Sequence, residues 1–492
     1  MSEPLQFGTA GLRGPMREGP DAMNVTTVSH ATWGVAQVLK ERHLAGSTVV
    51  VGRDARHHSD EFAVATAEIF AAEGFSVTLL PYPLPTPVLA YATRALGAAA
   101  GVQITASHNP AADNGYKVYF GGGIQIIAPT DSEIEAAMRR APATITGHPV
   151  TPADDRIVAD YVRRAAAVRR SASDLTGRAQ RPETLRVALT AMHGVGGALG
   201  VEVLGRAGFT DIHVVAAQFE PDPDFPTVAF PNPEEPGAAD MLLALAADVG
   251  ADIAIALDPD ADRCAIGTAG PQGWRMLSGN ETGWLLGDYL LSQCAEPATA
   301  VVASSIVSSQ LLGNIAAHYG AHYVETLTGF KWLARADEHT PGASLLYAYE
   351  EAIGHCVDPD AVRDKDGISA AVLACDLVAA LRTQGVTLSG KLDELARSYG
   401  VHRTDAISVV TDAAAVMARL RGAPPTAFGG IEVRVTDLLP RTDALIFTGD
   451  GLRVAVRPSG TEPKVKCYIE VSGAAAAREG ELVSQIARVI GT

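Results

Sequence analysis

Positive charge is scarce in this chain: 39 Lys and Arg stand against 56 Asp and Glu, a net charge of -17. That balance argues against a phosphate-backbone partner such as nucleic acid. A small anionic substrate is still admissible, provided Arg and Lys gather around it locally. Cysteine is sparse too. Five residues, Cys264, Cys294, Cys356, Cys375 and Cys467, are scattered without metal-type pairing. An odd, dispersed set fits reduced thiols in a cytoplasmic protein rather than a disulfide frame. Long apolar runs are missing as well. The longest uncharged window, between Glu296 and Glu325, is broken by Ser304, Ser305, Ser308, Ser309, Gln310 and Asn314, which a span of about 20 apolar residues would not carry. No basic cluster followed by an apolar stretch opens the chain, so neither a secretory leader nor a membrane partner is expected.

What is present describes an ordinary folded protein. Hydrophobic residues make up 47% and charged residues 19% of 492 positions, a length for about three or four domains. Three stretches share one plan: a β-branched run, a small or polar loop, an Ala/Leu-rich helix closed by Gly, and a second apolar run. They cover 48–80, 185–215 and 298–327, with Gly74, Gly208 and Gly320 as the stops. Gly just past a helix end supplies a left-handed residue. Strand–helix–strand alternation reads as a largely parallel sheet, and its recurrence predicts three related mixed α/β domains. The last hundred residues differ. Leu452, Val454 and Val456, then Val465, Cys467, Ile469 and Val471, alternate with polar neighbours across a Pro/Gly turn, and a helix is expected over 474–490. This reads as a smaller α+β domain with one solvated sheet face. The boundaries expected are 1–150, an exposed linker helix over 151–182, then 183–297, 298–398 and 399–492.

Four loops carry the chemistry. Val102-Gln-Ile-Thr-Ala-Ser-His-Asn-Pro runs from a strand into a loop that Pro110 ends. Thr105, His108 and Asn109 surround Ser107 with donors, and Lys117 follows as a cation or acid; read alone, the segment is more simply a polar turn. The apolar strand at 251–257 empties into Asp258-Pro-Asp-Ala-Asp-Arg. Residues at i, i+2 and i+4 of an extended chain point to one side, so Asp258, Asp260 and Asp262 converge. Three hard oxygens at the carboxyl end of a strand suit Mg²⁺; the competing reading is a solvated acidic turn. Tyr349-Glu-Glu-Ala-Ile-Gly-His offers Glu350 and Glu351 as acceptors for sugar hydroxyls and His355 as a group titrating near neutrality, or else is an exposed turn. Arg457-Pro-Ser-Gly-Thr-Glu-Pro-Lys joins two strands. Arg457, Ser459, Gly460, Thr461 and Lys464 assemble a guanidinium fork, hydroxyls, backbone N–H groups and an ammonium, which is what an idle phosphate needs; a basic hairpin turn would look the same. His193-Gly-Val-Gly-Gly is read as a tight strand–helix turn.

In this order, the four loops resemble the α-D-phosphohexomutase superfamily over essentially the full length. The resemblance implies three related α/β domains and a smaller fourth around a central cleft. Ser107 would be the phosphoserine and, with Asp258, Asp260 and Asp262, would hold Mg²⁺, with Arg263 beside them. Glu350, Glu351 and His355 would recognise the sugar, and the Arg457 loop would hold phosphate. Phe7-Gly-Thr-Ala-Gly-Leu-Arg-Gly is similar to the family's N-terminal segment and would set Arg13 near the phosphoserine. Two departures stand out. The usual Glu-x-Ser of the sugar loop is Glu-Glu-Ala-Ile-Gly here, so its Ser is replaced by Ala352 or Ile353. Phe330 stands where some phosphomannomutases have His, leaving Lys331 as the basic residue. Together with Asp364-Lys-Asp-Gly, these resemble the branch of phosphoglucomutase-like and phosphopentomutase enzymes.

The expected activity is therefore a phosphosugar mutase, phosphoglucomutase or phosphomannomutase in type, with phosphopentomutase or sugar bisphosphate synthase as alternatives. Phosphoryl transfer depends chiefly on positioning and charge. Ser107 and Arg13 would serve the transfer, His108 would orient it, and Lys117 and His355 would be acid and base. Mg²⁺ and a sugar bisphosphate primer are the expected cofactors, and a monomer or homodimer the expected state. Two other classes compete. A phosphatase with Asp258 as nucleophile leaves Ser107 and the Arg457 loop without roles, and a non-catalytic sugar-phosphate binder leaves the serine and metal loops unexplained.

Overall fold

Each of the three parallel-sheet stretches repeats a single topology. The computed structural model describes residues 5–8, 11–169, 185–459 and 464–491. In the first unit, Thr48–Arg53 lies between the parallel strands Ser76–Leu79 and Ala100–Ile104, and Ala100–Ile104 turns back antiparallel into Asp113–Phe120. The second unit places Arg186–Thr190 between Asp211–Val214 and Ile253–Leu257, with Cys264–Gly270 returning antiparallel. The third places Ala300–Ser305 between His322–Thr326 and Ser344–Glu350, with Gly354–Cys356 returning. The serine, aspartate and sugar loops therefore hold one topological position, after the third parallel strand of each unit. Helices Ser59–Ala72, Gly196–Arg206 and Leu311–Tyr319 make the first crossovers. Gly74, Gly208 and Gly320 follow them at φ +89°, +97° and +75°, where a Cβ would be strained.

The C-terminal unit is a six-stranded antiparallel sheet, ordered His402–Val410, Lys464–Ser472, Leu452–Pro458, Leu445–Gly449, Ile431–Asp437 and Ala427–Phe428. Leu452, Val454, Val456, Val465, Cys467, Ile469 and Val471 pack into its core, as their alternation predicts. The terminal helix covers Glu479–Gly491, after a 3₁₀ turn over Gly473–Arg478.

Two expectations need correction. The helix Arg156–Ala166 is not an exposed connector: Val158, Tyr161, Val162 and Ala165 are buried in the main core, and the Tyr161 hydroxyl donates to Asp366 at 2.9 Å. Its few apolar residues sit at i, i+3, i+4 and i+7, which is one helix face. The segment expected to follow, 170–182, lies outside the described residues. The helix Gly279–Ser292 belongs against the third sheet, not within a unit ending at 297. At Gly283 a Cβ would lie 2.5 Å from the Tyr349 ring, and at Gly287 2.6 Å from Leu312, so both glycines exist for close approach to the third unit.

Candidate active site

The serine loop leaves a strand that is buried along its whole length. Ser107 itself has φ +54°, a left-handed conformation that costs a non-glycine residue about 1–3 kcal/mol and persists only where the surroundings enforce it. Arg56 enforces it here. Its guanidinium donates to the carbonyls of Ser107 and Asn109, both at 2.6 Å, Pro110 at 2.8 Å and Asp113 at 3.1 Å. Asp54 lies 3.3 Å from the same guanidinium. The Thr105 hydroxyl accepts the Ser107 N–H at 2.9 Å. The Ser107 hydroxyl donates to Asp258 Oδ2 at 2.9 Å, and His108 Nδ1 is 3.2 Å from the Ser107 hydroxyl. Burial holds the His108 pKa well below its usual value, and the positive charges of Arg263 and Arg13 add to this; the ring is neutral. Arg13 donates to Asn109 Oδ1 at 3.3 Å, while its Nε is buried without a hydrogen-bond partner among the described residues.

Asp258, Asp260 and Asp262 follow the buried strand Ile253–Leu257 and are themselves wholly buried. One oxygen from each lies within 4.8 Å of the others. The three carboxylates converge as expected, but through a turn rather than an extended segment: the Ala261 N–H donates to the Asp258 carbonyl at 2.8 Å, and Ala261 itself is left-handed, φ +52°. Asp260 Oδ2 accepts from Thr86 at 2.5 Å and Lys117 at 2.6 Å. Asp262 Oδ2 accepts from Lys117 at 2.7 Å and faces the Lys365 ammonium at 3.3 Å. Burial, then repulsion from Asp260 and Asp262, pushes the Asp258 carboxyl well above the usual range. Burial would raise Asp260 as well, but Lys117 and Thr86 overcome it and hold that carboxyl low. Oδ1 of Asp260 and Oδ1 of Asp262 are buried and take no hydrogen bond from any described residue. Orphaned anionic oxygens beside a third carboxylate are a hard-oxygen donor set that fits a divalent cation such as Mg²⁺.

The sugar loop joins directly to this cluster. The Cys264 N–H donates to the Ile353 carbonyl at 3.0 Å, and Ile353 has φ +54° while fully buried, an unusual state for a β-branched residue. Glu350 is buried and its carboxyl is raised by that burial, against the opposing pull of Lys365 and Arg263. Glu351 Oε2 accepts from Ser305 and Ser308, each at 3.0 Å. Arg263 lies 4.0 Å from Glu234.

His355 does not join the site. It has no exposed surface, lies roughly parallel to the rings of both Tyr347 and Tyr349, each centroid 6.3 Å away, and meets the Tyr347 hydroxyl through Nδ1 at 2.9 Å. Burial lowers its pKa to about 3, so it neither grips a sugar nor exchanges protons near neutrality. Lys331 is not joined to Glu350 or Glu351 by any hydrogen bond or ion pair among the described residues. Phe330 packs inward, its ring 5.4 Å from the Lys365 ammonium. Lys331 lines a narrow gap beside Phe7, Gly8, Gly11 and Gln125.

At the phosphate loop, the Ser459 N–H donates to the Lys464 carbonyl at 2.8 Å. Gly460 and Thr461 lie outside the described residues. Arg457 pairs across the sheet with Lys466. The Lys466 pKa is lowered by burial and by the neighbouring charges of Lys464 and Arg457, so three cations crowd one edge. A cavity of about 490 Å³ lies between Glu351, Glu234, Arg453, Lys466 and Tyr468.

Arg56, Thr86, Lys365 and Lys466 escape the sequence reading. Lys466 had a signal, because strand alternation puts it on the Arg457 face. Arg56 had a weaker one, a charged Arg-Asp-Ala-Arg loop after a buried strand. Lys365 lay in the Asp364-Lys-Asp-Gly motif without being assigned a role, and Thr86 had no signal. No single helix among the described residues is long and apolar enough to cross a membrane.

Comparison with known proteins agrees with this geometry. The three α/β/α domain models of phosphoglucomutase/phosphomannomutase match residues 4–144, 159–270 and 278–399, and the C-terminal domain model matches 392–488. A probable phosphomannomutase of Haemophilus influenzae is 42% identical over 92% of this chain and 93% of its own length. The phosphopentomutase of Homo sapiens is 35% identical over 95% of this chain and 85% of its own. The crystal structure of a candidate phosphomannomutase from Thermus thermophilus superposes with a TM-score of 0.80 at 25% identity, covering all of both chains. With an aspartate triad against a buried serine, four matched domains and full-length relatives of this kind, the chain belongs to the phosphoglucomutase/phosphomannomutase family of phosphosugar mutases.

Proposed function

We propose that this mutase works through a phosphorylated Ser107, a bound Mg²⁺ and a sugar bisphosphate that turns over within the cleft. The observation that carries the reading is the 2.9 Å contact between Ser107 Oγ and Asp258 beside the orphaned oxygens of Asp260 and Asp262. A magnesium ion on those three aspartates would supply positive charge to the oxygens of the transferring phosphoryl group. The remaining work belongs to the side chains. When a sugar bisphosphate charges the enzyme, Ser107 Oγ bonds to phosphorus and its proton passes to neutral His108, whose Nδ1 is 3.2 Å away. The bond from phosphorus to the sugar oxygen breaks, and that oxygen takes a proton from the Lys117 ammonium. The opposite half-reaction retraces these transfers at the other end of the sugar. Arg13 steadies the serine loop through Asn109 and is placed to meet phosphoryl oxygens. Glu351 grips sugar hydroxyls, with Arg263 and Glu350 beside it, and Arg457, Ser459, Gly460, Thr461 and Lys464 hold the idle phosphate.

The free, mostly buried thiols support a reducing compartment such as the cytoplasm. Hexose and pentose phosphates both answer to this chemistry, in accord with the phosphomannomutase and phosphopentomutase names of its relatives. Incubation with labelled glucose 1,6-bisphosphate or ribose 1,5-bisphosphate, followed by peptide mapping, tests the route. Label is expected on Ser107, with loss of at least roughly a thousandfold of turnover in Ser107→Ala. Label on Asp258, or full turnover in Ser107→Ala, would refute it. A panel of glucose, mannose and ribose 1-phosphates assayed with Mg²⁺ and primer ranks the sugars.

A further inference from the structure

In each related unit, the loop after the first strand supports the loop after the third. Arg56 holds the carbonyls around Ser107 in the first unit. In the second, the Val195 N–H donates to the Pro259 carbonyl at 2.8 Å, and a Cβ on Gly194 would lie 2.3 Å from Pro259 Cα. In the third unit the same place is taken by the turn after Ala300–Ser305, and its support reaches a side chain. Ser308 Oγ donates to Glu351 Oε2 at 3.0 Å and accepts the Glu351 N–H at 3.1 Å, while Ser305 Oγ donates to the same Oε2 at 3.0 Å. Glu351 lines the 490 Å³ cavity, and its Oε1 takes no hydrogen bond from any described residue. The two serines leave that oxygen turned to a ligand's hydroxyls.

The next two residues of the turn face the C-terminal unit. The Ser309 hydroxyl donates to Glu470, and the Gln310 N–H donates to both Glu470 oxygens, at 3.0 and 3.1 Å. Glu470 lies on the strand Lys464–Ser472 that leads out of the phosphate loop. Glu470 is a buried carboxylate that must be paired; His402 Nδ1 meets it at 2.7 Å, and the same short turn that holds half-buried Glu351 on one side holds Glu470 on the other.

We propose that Ser305 and Ser308 are the positioning residues of the hydroxyl-binding Glu351, replacing the serine absent from the sugar loop, and that their turn couples Glu351 to docking of the C-terminal unit through Glu470. This rests on the reading of Glu351 as a sugar-hydroxyl acceptor.

The test is equilibrium binding to the full-length protein, with α-D-glucose 1-phosphate, α-D-ribose 1-phosphate and inorganic phosphate as probes. Ser308→Ala is expected to weaken the better-bound sugar phosphate by about tenfold, the worth of one hydrogen bond to a charged acceptor, and to leave inorganic phosphate unchanged. Glu470→Gln should weaken the sugar phosphate as well, and the double variant should lose less than the product of the two. Sugar affinity equal to wild type in Ser308→Ala, a parallel loss of inorganic phosphate, or effects that simply multiply would each overturn the proposal. Should Ser308→Ala not fold, Ser305→Ala takes the same tests. A wild-type protein that binds either sugar phosphate but turns over none of the panel would sink the mutase route and leave this inference standing, whereas normal turnover with unchanged affinity in Ser308→Ala would sink this inference alone.

Discussion

Replacing Lys117 by Met exchanges an ammonium for a thioether of similar length at a position 1% exposed. The ammonium sits 2.6 Å from Asp260 and 2.7 Å from Asp262. At an effective dielectric constant of about 20, each contact corresponds to about 6 kcal/mol of attraction, most of it offset by the desolvation of three buried charges. Removing one partner of such a group costs about 3–5 kcal/mol, because it strands the charges that stay. Here two carboxylates lose their nearest cation, and Lys365, 3.3 Å from Asp262, and Arg263, 3.9 Å from it, are left to balance the triad. Lys117→Met is therefore expected to lose about 3–5 kcal/mol in chelator and to recover most of it in saturating Mg²⁺, because a divalent ion relieves the same repulsion. By linkage, the variant should bind Mg²⁺ at least roughly tenfold more tightly than wild type. Urea unfolding with and without Mg²⁺, together with calorimetric titration of the metal, measures both quantities. An equal loss in chelator and in Mg²⁺, or a Mg²⁺ affinity no tighter than wild type, would show that the three aspartates are not a cation site.

Two further perturbations test the parts the sequence did not reveal. Arg56→Lys keeps the charge but loses the fork that reaches four carbonyls. Turnover should drop about a hundredfold through misplacement of Ser107, with Mg²⁺ affinity nearly unchanged, and single-turnover phosphorylation of Ser107 reads the difference. His355→Phe should keep mutase turnover, since the ring is buried away from the cleft. It should also alter the acid limb of stability. The folded pKa of about 3 lies below an unfolded value of about 6.5, so the unfolded chain binds the extra proton in between. Wild-type stability is then lost as pH falls from about 6.5 towards 3, by up to about 1.4 kcal/mol per pH unit from this group. The variant should lack that contribution in urea melts across the window, and an identical pH profile would refute it.

Local pattern carried much of the architecture. Three β-branched runs with helices stopped at Gly74, Gly208 and Gly320 declared the repeated units, because a glycine at positive φ and a period-two strand are properties of a few neighbouring residues. The convergence of Asp258, Asp260 and Asp262 was legible from their spacing after a buried strand, although a turn closed by the Ala261 N–H on the Asp258 carbonyl, and not an extended segment, brings them together. Ser107 and the Arg457 turn stood out by composition. Contacts between distant segments were not legible. Ser107 meets Asp258 across 151 residues and Lys117 meets Asp262 across 145, and no local period encodes how two sheets face each other. Burial was decided at that level too. His355 has the composition of a catalytic group and the surroundings of a core residue; Lys331 lines a gap beside Phe7 and Gly8 and pairs with neither glutamate of the sugar loop; Arg156–Ala166 became core only because other units covered its single apolar face. The amino-acid order alone determined which strands, helix stops and polar loops this protein has, because those depend on neighbours a few residues apart. Which polar groups become a site was left to the tertiary fold, since desolvation and charge pairing depend on whatever distant chain closes over them.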